Sequence, residues 1–133
     1  MRTITIMILL LASSAMADAP TFQPVGTTLQ VMRAMVIPSS DVIFAISANP
    51  PKTDKEWAAV QNNALILAES GNLLMMAGRS QDNGEWMKDS KAMVDAGNAA
   101  FKAANAKDLN KLGDVSDDIL TTCETCHNKY KPQ

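Results

Sequence analysis

Apolar residues recur along the chain at steps of three and four, in four stretches separated by proline, glycine and polar breaks, and no stretch alternates with the two-residue period of a strand. From Thr27 to Ile37, the positions Leu29, Met32 and Val36 share one helical face with Met35 beside them, and Thr27 or Thr28 can cap the start. Pro38 lacks an amide proton and crowds the preceding turn, so the sequence predicts a kink or a restart there. Ser39, Ser40 and Asp41 would cap the restart, and Val42, Ile43 and Ile46 continue the stripe up to Asn49-Pro50-Pro51. A second helix opens on a capping box, Thr53 with Glu56, and carries Trp57, Val60, Ala64, Leu67, Gly71, Leu74 and Gly78 inward. After a turn from Arg79 to Gly84, a third helix from Glu85 to Ala104 buries Trp86, Met93, Gly97, Ala100 and Ala104, with Phe101 at the edge of the stripe. Its small residues permit close approach of a neighbouring helix or a flat ligand. The last helix, capped by Asp108, sets Leu109, Leu112, Val115, Ile119 and Leu120 on one face, and the same face runs on into Cys123, Cys126, His127 and Tyr130.

Four amphipathic segments with mostly short connections predict an all-α fold, an antiparallel four-helix bundle whose longest connection joins its first two helices. Composition leaves that picture standing: 133 residues, 47% of them hydrophobic, suffice for one core, and the low aromatic content of 5% favours helix over strand.

The N-terminus changes the domain boundaries. Arg2 is followed by the apolar run Ile4 to Leu11 and then by Ala15-Met16-Ala17, the pattern of a secretory signal peptide cut between Ala17 and Asp18. The run is short for a membrane span of ~20 residues and leads at once into polar, proline-containing sequence. Residues 1–17 are therefore expected to be removed, leaving 18–133 as one soluble exported domain, periplasmic in a bacterial cell. Cleavage removes Arg2 and no acid, so 12 basic against 14 acidic side chains becomes 11 against 14, a net charge of −3. Such mild acidity argues against a nucleic-acid partner.

The candidate chemistry lies in Cys123-Glu124-Thr125-Cys126-His127, which holds both cysteines and the one histidine of the chain. Cys-x-x-Cys-His is the spacing at which two thiols form thioethers with the vinyl groups of one haem while the adjoining imidazole takes an axial position on iron. At i, i+3 and i+4 of a helix the three side chains point the same way. A dithiol redox centre is the first rival, but it belongs at a helix N-terminus, where the dipole lowers a thiol's pKa, and this pair sits near a C-terminus. Zinc is the second, and it wants four ligands where the motif offers three. Covalent haem c is the reading these residues favour, with Cys123 and Cys126 as attachment points and His127 as the axial iron ligand.

No second histidine is available for the other face of the iron. Methionine remains, among Met32, Met35, Met75, Met76, Met87 and Met93, each of which also serves as an ordinary core filler. Met32 lies on the inward stripe of the first helix and is the expected sixth ligand, with Met35 as the fallback. Arg33 is a candidate contact for a haem propionate, as is Arg79; a solvated surface charge is the competing reading of both. Trp57 and Trp86 are read as core anchors.

The C-terminal run Cys123-Glu124-Thr125-Cys126-His127-Asn128-Lys129-Tyr130-Lys131 resembles the ending of class II c-type cytochromes, the cytochrome c prime family. The resemblance implies a four-helix bundle with haem attached to the last helix near one end. In low-spin members a methionine of the first helix, in a Leu-Met-Lys/Arg context, is the sixth ligand, and Val31-Met32-Arg33 matches that context apart from Val31. High-spin members leave the position open and bind nitric oxide or carbon monoxide. By this resemblance Lys131 lies near the proximal histidine, and members often pair through their first helices, so a homodimer is one expectation, with Val42 to Ile46 as its candidate face; a kinked apolar helix in a monomer's core is the competing reading of that stretch. The function implied is one-electron transfer between redox partner proteins, not enzymatic turnover; the five-coordinate gas binder is the alternative. Pro38 departs from the family pattern and is the reason Met35 stays in view.

Overall fold

A computed structural model describes residues 21–131; the signal peptide expected at 1–17 and its cleavage site lie outside the described residues. The described chain is helical with no strand, and four helices pack against one another. We label them α1 (Thr28–Ser47), α2 (Asp54–Leu74), α3 (Glu85–Asn105) and α4 (Leu109–Tyr130). The most extensive packing joins α2 to α3, followed by α3 to α4, while α1 lies on α2 and touches α4.

The ends of these helices follow the local chemistry. Thr27 and Thr53 both form complete capping boxes, with Gln30 and Glu56 respectively as the reciprocal partners. The side chain of Asp108 accepts from the Lys111 amide at the start of α4. Between α3 and α4 the chain turns within three residues, with Lys107 at a positive φ of 52°.

Of the two outcomes expected at Pro38, the restart does not occur. The first helix runs from Thr28 to Ser47 through a π turn, Met32–Val36. There the Ile37 amide donates to the Met32 carbonyl five residues back. The cause is Pro38: it cannot donate to the carbonyl four residues behind it, and its ring would collide with that group in an ordinary α turn. Widening the preceding turn relieves both problems without ending the helix. Ser39 and Ser40 are accordingly buried side chains within the helix, not caps, and the Ser40 hydroxyl donates to the Ile37 carbonyl at 3.0 Å.

The extra residue in that turn rotates the N-terminal part of α1 by roughly 100° against the rest, one residue's share of an α turn. The buried pair becomes Val31 and Val36, five apart, while Leu29 is 56% exposed and Met32 and Met35 are half-buried. By length and composition α1 is long and apolar enough to cross a membrane, yet Val31, Val36, Ile43 and Ile46 belong to the common core.

That core continues through Trp57, Val60, Ala64, Leu67 and Leu74 of α2, Trp86, Met93 and Ala100 of α3, and Leu112, Val115 and Ile119 of α4. Each fully buried aliphatic side chain contributes about 1.5–3 kcal/mol by leaving water. Gly71 and Gly97 set the distance between α2 and α3. A Cβ on Gly97 would stand 2.6 Å from the Ala68 backbone nitrogen, and one on Gly71 would stand 2.7 Å from the Ser90 carbonyl oxygen. Leu109 and Leu120, expected inward, are exposed at 41% and 46%. Gly78, expected within the second helix, lies beyond its end at φ +88°.

Candidate haem site

Cys123, Cys126 and His127 occupy the last turns of α4, where the spacing of three and four holds all three on one side of the helix. The cysteines are half-buried and not joined to each other; the imidazole is exposed. All three border a small cleft whose opposite wall is Met32 and Val36 of α1, with Leu74 at the end of α2 and Asp89, Ser90 and Met93 of α3. Met32, Cys126 and His127 also border an open groove of about 480 Å³, walled by Leu29, Ile37, Trp86 and Tyr130, among others.

The C-terminal end of α4 is held in place by three contacts. The Trp86 ring meets the Tyr130 ring edge to face, with centroids 5.0 Å apart and planes at 82°. The Tyr130 hydroxyl donates to the Asp82 carboxylate, and Lys129 pairs with Glu85 at the start of α3. Trp86 in turn donates its indole N–H to the Leu74 carbonyl at 2.8 Å, joining the end of α2 to the same corner.

The bond from the Tyr130 hydroxyl, ahead of those from the Gly84 and Trp86 amides, holds the Asp82 carboxyl below its ordinary value of 3.8. A carboxyl depressed by folding adds stability that is present above its unfolded value and lost as pH falls through the folded one. Tyr130→Phe is therefore expected to lower the urea midpoint most near neutral pH, with the gap to the unsubstituted protein narrowing below about pH 4. A gap that stays constant from pH 7 to pH 3 would refute this tie.

Burial, more than the nearby Asp89 and Cys123, raises the Cys126 thiol to about 11, and burial likewise pushes Cys123 upward. Thiols that attack disulfides sit in surroundings that lower their pKa, commonly a helix N-terminus; these two sit at the opposite end of their helix.

The structure separates the sequence-predicted residues. Met32 joins Cys123, Cys126 and His127 around one cleft, while Met35 packs against the core and borders neither the cleft nor the groove. Arg33 is exposed and borders neither space. Arg79 is buried: its Nε donates to the Gly26 carbonyl at 2.9 Å, and Nη1 donates to the Leu73 carbonyl at 3.1 Å and to the Met76 sulfur at 3.3 Å. It clamps the α2–α3 loop to the chain leading into α1, so it is neither a free surface charge nor a group reaching the cleft.

Asp89 and Ser90 were not anticipated from the sequence. They lie on the inward face of α3 between Trp86 and Met93, and that spacing was the signal that placed them there.

The donor set and the space suit a covalently attached haem. Two thiols and an imidazole face a largely apolar cleft with a thioether across it, and the adjoining groove is within the usual 300–1,000 Å³ of a ligand pocket. Among the described residues no group of three or more His, Cys, Asp and Glu side chains is gathered to hold a metal ion by itself. No protein-family model matches the chain, and comparison with curated proteins and with solved structures found no match.

Proposed function

We propose that this chain is an exported monohaem c-type cytochrome of the cytochrome c prime kind, acting as a one-electron carrier between redox partner proteins. The observation that carries the reading is the shared cleft: Met32 of the first helix and His127 of the last border it together with both cysteines of the attachment motif. The start of α1, the end of α2, the start of α3 and the end of α4 all contribute to the cleft and its groove. That distribution supports an antiparallel up-and-down bundle with its cofactor at one end.

Haem c bound there supplies an iron that alternates between the ferric and ferrous states by one electron. The sulfurs of Cys123 and Cys126 hold the macrocycle to α4. The His127 imidazole would hold the iron through one nitrogen, leaving its remaining N–H for a carbonyl or water. The Met32 thioether of α1 would also hold the iron and would favour its reduced state, raising the potential. Val36, Leu74 and Met93 keep water from the cleft. The protein performs no bond chemistry of its own, so electrons enter from one partner protein and leave to another. Export behind the N-terminal signal places both thiols in an oxidising compartment, where attachment to haem keeps them from closing as a disulfide. The mature domain then stays in the periplasm without a membrane span, as a monomer or a homodimer.

The purified exported protein is expected to show a haem spectrum that survives acid-acetone extraction and disappears in the Cys123→Ser/Cys126→Ser double variant. Colourless protein, or haem removed by extraction, overturns the proposal. A high-spin ferric spectrum that responds to nitric oxide or carbon monoxide replaces the carrier with the five-coordinate gas binder.

A further inference from the structure

Two polar side chains in the wall of the cleft have no hydrogen-bond partner. Asp89 is only 6% exposed and Ser90 only 2%, and neither Asp89 Oδ2 nor Ser90 Oγ has a partner. Several other helical hydroxyls are satisfied by their own backbone: Ser70 donates to the Ile66 carbonyl at 2.7 Å and Thr122 to the Asp118 carbonyl at 2.9 Å. Leaving a buried polar atom unpaired costs about 1–3 kcal/mol, and a carboxylate oxygen costs more. An aliphatic residue at position 89 would continue the stripe between Trp86 and Met93 without that cost. The carboxylate instead borders the cleft shared by Met32, Cys123, Cys126 and His127.

Resting on the haem reading above, we propose that Asp89 is a potential-setting residue: a buried carboxylate beside the iron site that favours ferric over ferrous iron. The physical basis is charge. The ferric state carries one more positive charge than the ferrous state, and an anion shielded from water stabilises it far more than a solvated anion does. Asp89 thus opposes the Met32 thioether, which favours the ferrous state, and the potential reflects both. Asp89 touches no electron carrier in this role; it acts through the field at the iron.

The test is a spectroelectrochemical titration of the haem-loaded protein and its variants. Asp89→Asn keeps the shape and removes the charge, and is expected to shift the ferrous-to-ferric ratio at fixed potential three- to tenfold toward ferrous; tenfold corresponds to about 59 mV for one electron. Asp89→Glu retains the charge and is expected to stay near the unsubstituted value. Asp95→Asn, which removes an exposed carboxylate on the same helix, is expected to leave the potential unchanged. An unchanged potential in Asp89→Asn overturns the inference, as does an equal rise in Asp89→Glu, which would trace the effect to shape, or in Asp95→Asn, which would trace it to net charge. If Asp89→Asn does not accumulate, a potential for Asp89→Glu well away from the unsubstituted value overturns it. Absence of covalent haem from the unsubstituted protein defeats the haem reading itself, and the two results are distinguishable before any potential is measured.

Discussion

Replacing Met32 by alanine in the haem-loaded protein is expected to convert a low-spin ferric spectrum to a high-spin one and to abolish the weak near-red band of sulfur-to-iron charge transfer. The expectation rests on position. Met32 borders the cleft with both motif cysteines and His127, and it also borders the adjoining groove. With Met32 as the proposed distal ligand, removing its thioether would leave the iron open on that side, and the sequence has no second histidine to replace it. The potential is expected to fall at the same time, because the lost sulfur favoured the ferrous state. Met35→Ala is the informative comparison. Met35 packs against the core outside both spaces, so its loss is expected to cost stability through a cavity and leave the spectrum unchanged. A spectrum altered by Met35→Ala and indifferent to Met32→Ala would reverse the assignment.

The choice between these methionines shows where the sequence was informative and where it was not. Its hydrophobic period located α1, and the resemblance drew attention to Val31-Met32-Arg33. Period alone placed Leu29, Met32 and Val36 on one face by assuming an unbroken α-helical register. The π turn invalidates that assumption: Val31 and Val36 turn inward and Leu29 turns out. Pro38 was visible as a fault in the helix. Whether such a fault ends a helix or widens one turn depends on what the next residues pack against, and that is a tertiary matter. Here Ile43 and Ile46 bury against the core, so the helix continues. π turns are frequent at functional sites, and this one contains the residue proposed to face the iron.

Elsewhere the local chemistry was decisive. Thr53 and Glu56 fixed the start of α2 because a capping box satisfies amides within three residues of itself. The motif on α4 was legible for the same reason, since its geometry is internal to two helical turns. Arg79 was not legible, because the carbonyl that its Nε meets belongs to Gly26, 53 residues away. Asp89 and Ser90 lie on an inward stripe of the third helix, but a hydrophobic period marks only its apolar positions. A polar residue at an apolar position of such a stripe is itself a signal, since burial penalises it unless something joins it there.

The largest stability effect is expected at the contact between α2 and α3. Gly97 lies so close to Ala68 that an added Cβ would stand 2.6 Å from its backbone nitrogen, 2.8 Å from its Cα and 2.9 Å from its Cβ. Two of those atoms belong to the backbone of α2, so no rotamer change can relieve the overlap and the helices must move apart. Gly97→Val is therefore expected to destabilise the protein by about 3 kcal/mol, the upper end for an overpacked core, despite valine's better helix propensity. In a domain of this size that corresponds to a fall of about 10 °C in Tm, measurable by circular dichroism. Gly113→Ala serves as the control, because nothing lies within 4 Å of the added Cβ and a helical glycine gains about 0.5–1 kcal/mol on becoming alanine. Equal and small effects of the two substitutions would mean that α2 and α3 are not so closely apposed. The contact also bears on the site: Met93, one turn before Gly97 on α3, forms part of the wall opposite Cys123 and Cys126. Forcing α3 away from α2 displaces that wall, so Gly97→Val is expected to change the haem environment before it abolishes folding, whereas Gly113→Ala leaves it as it was.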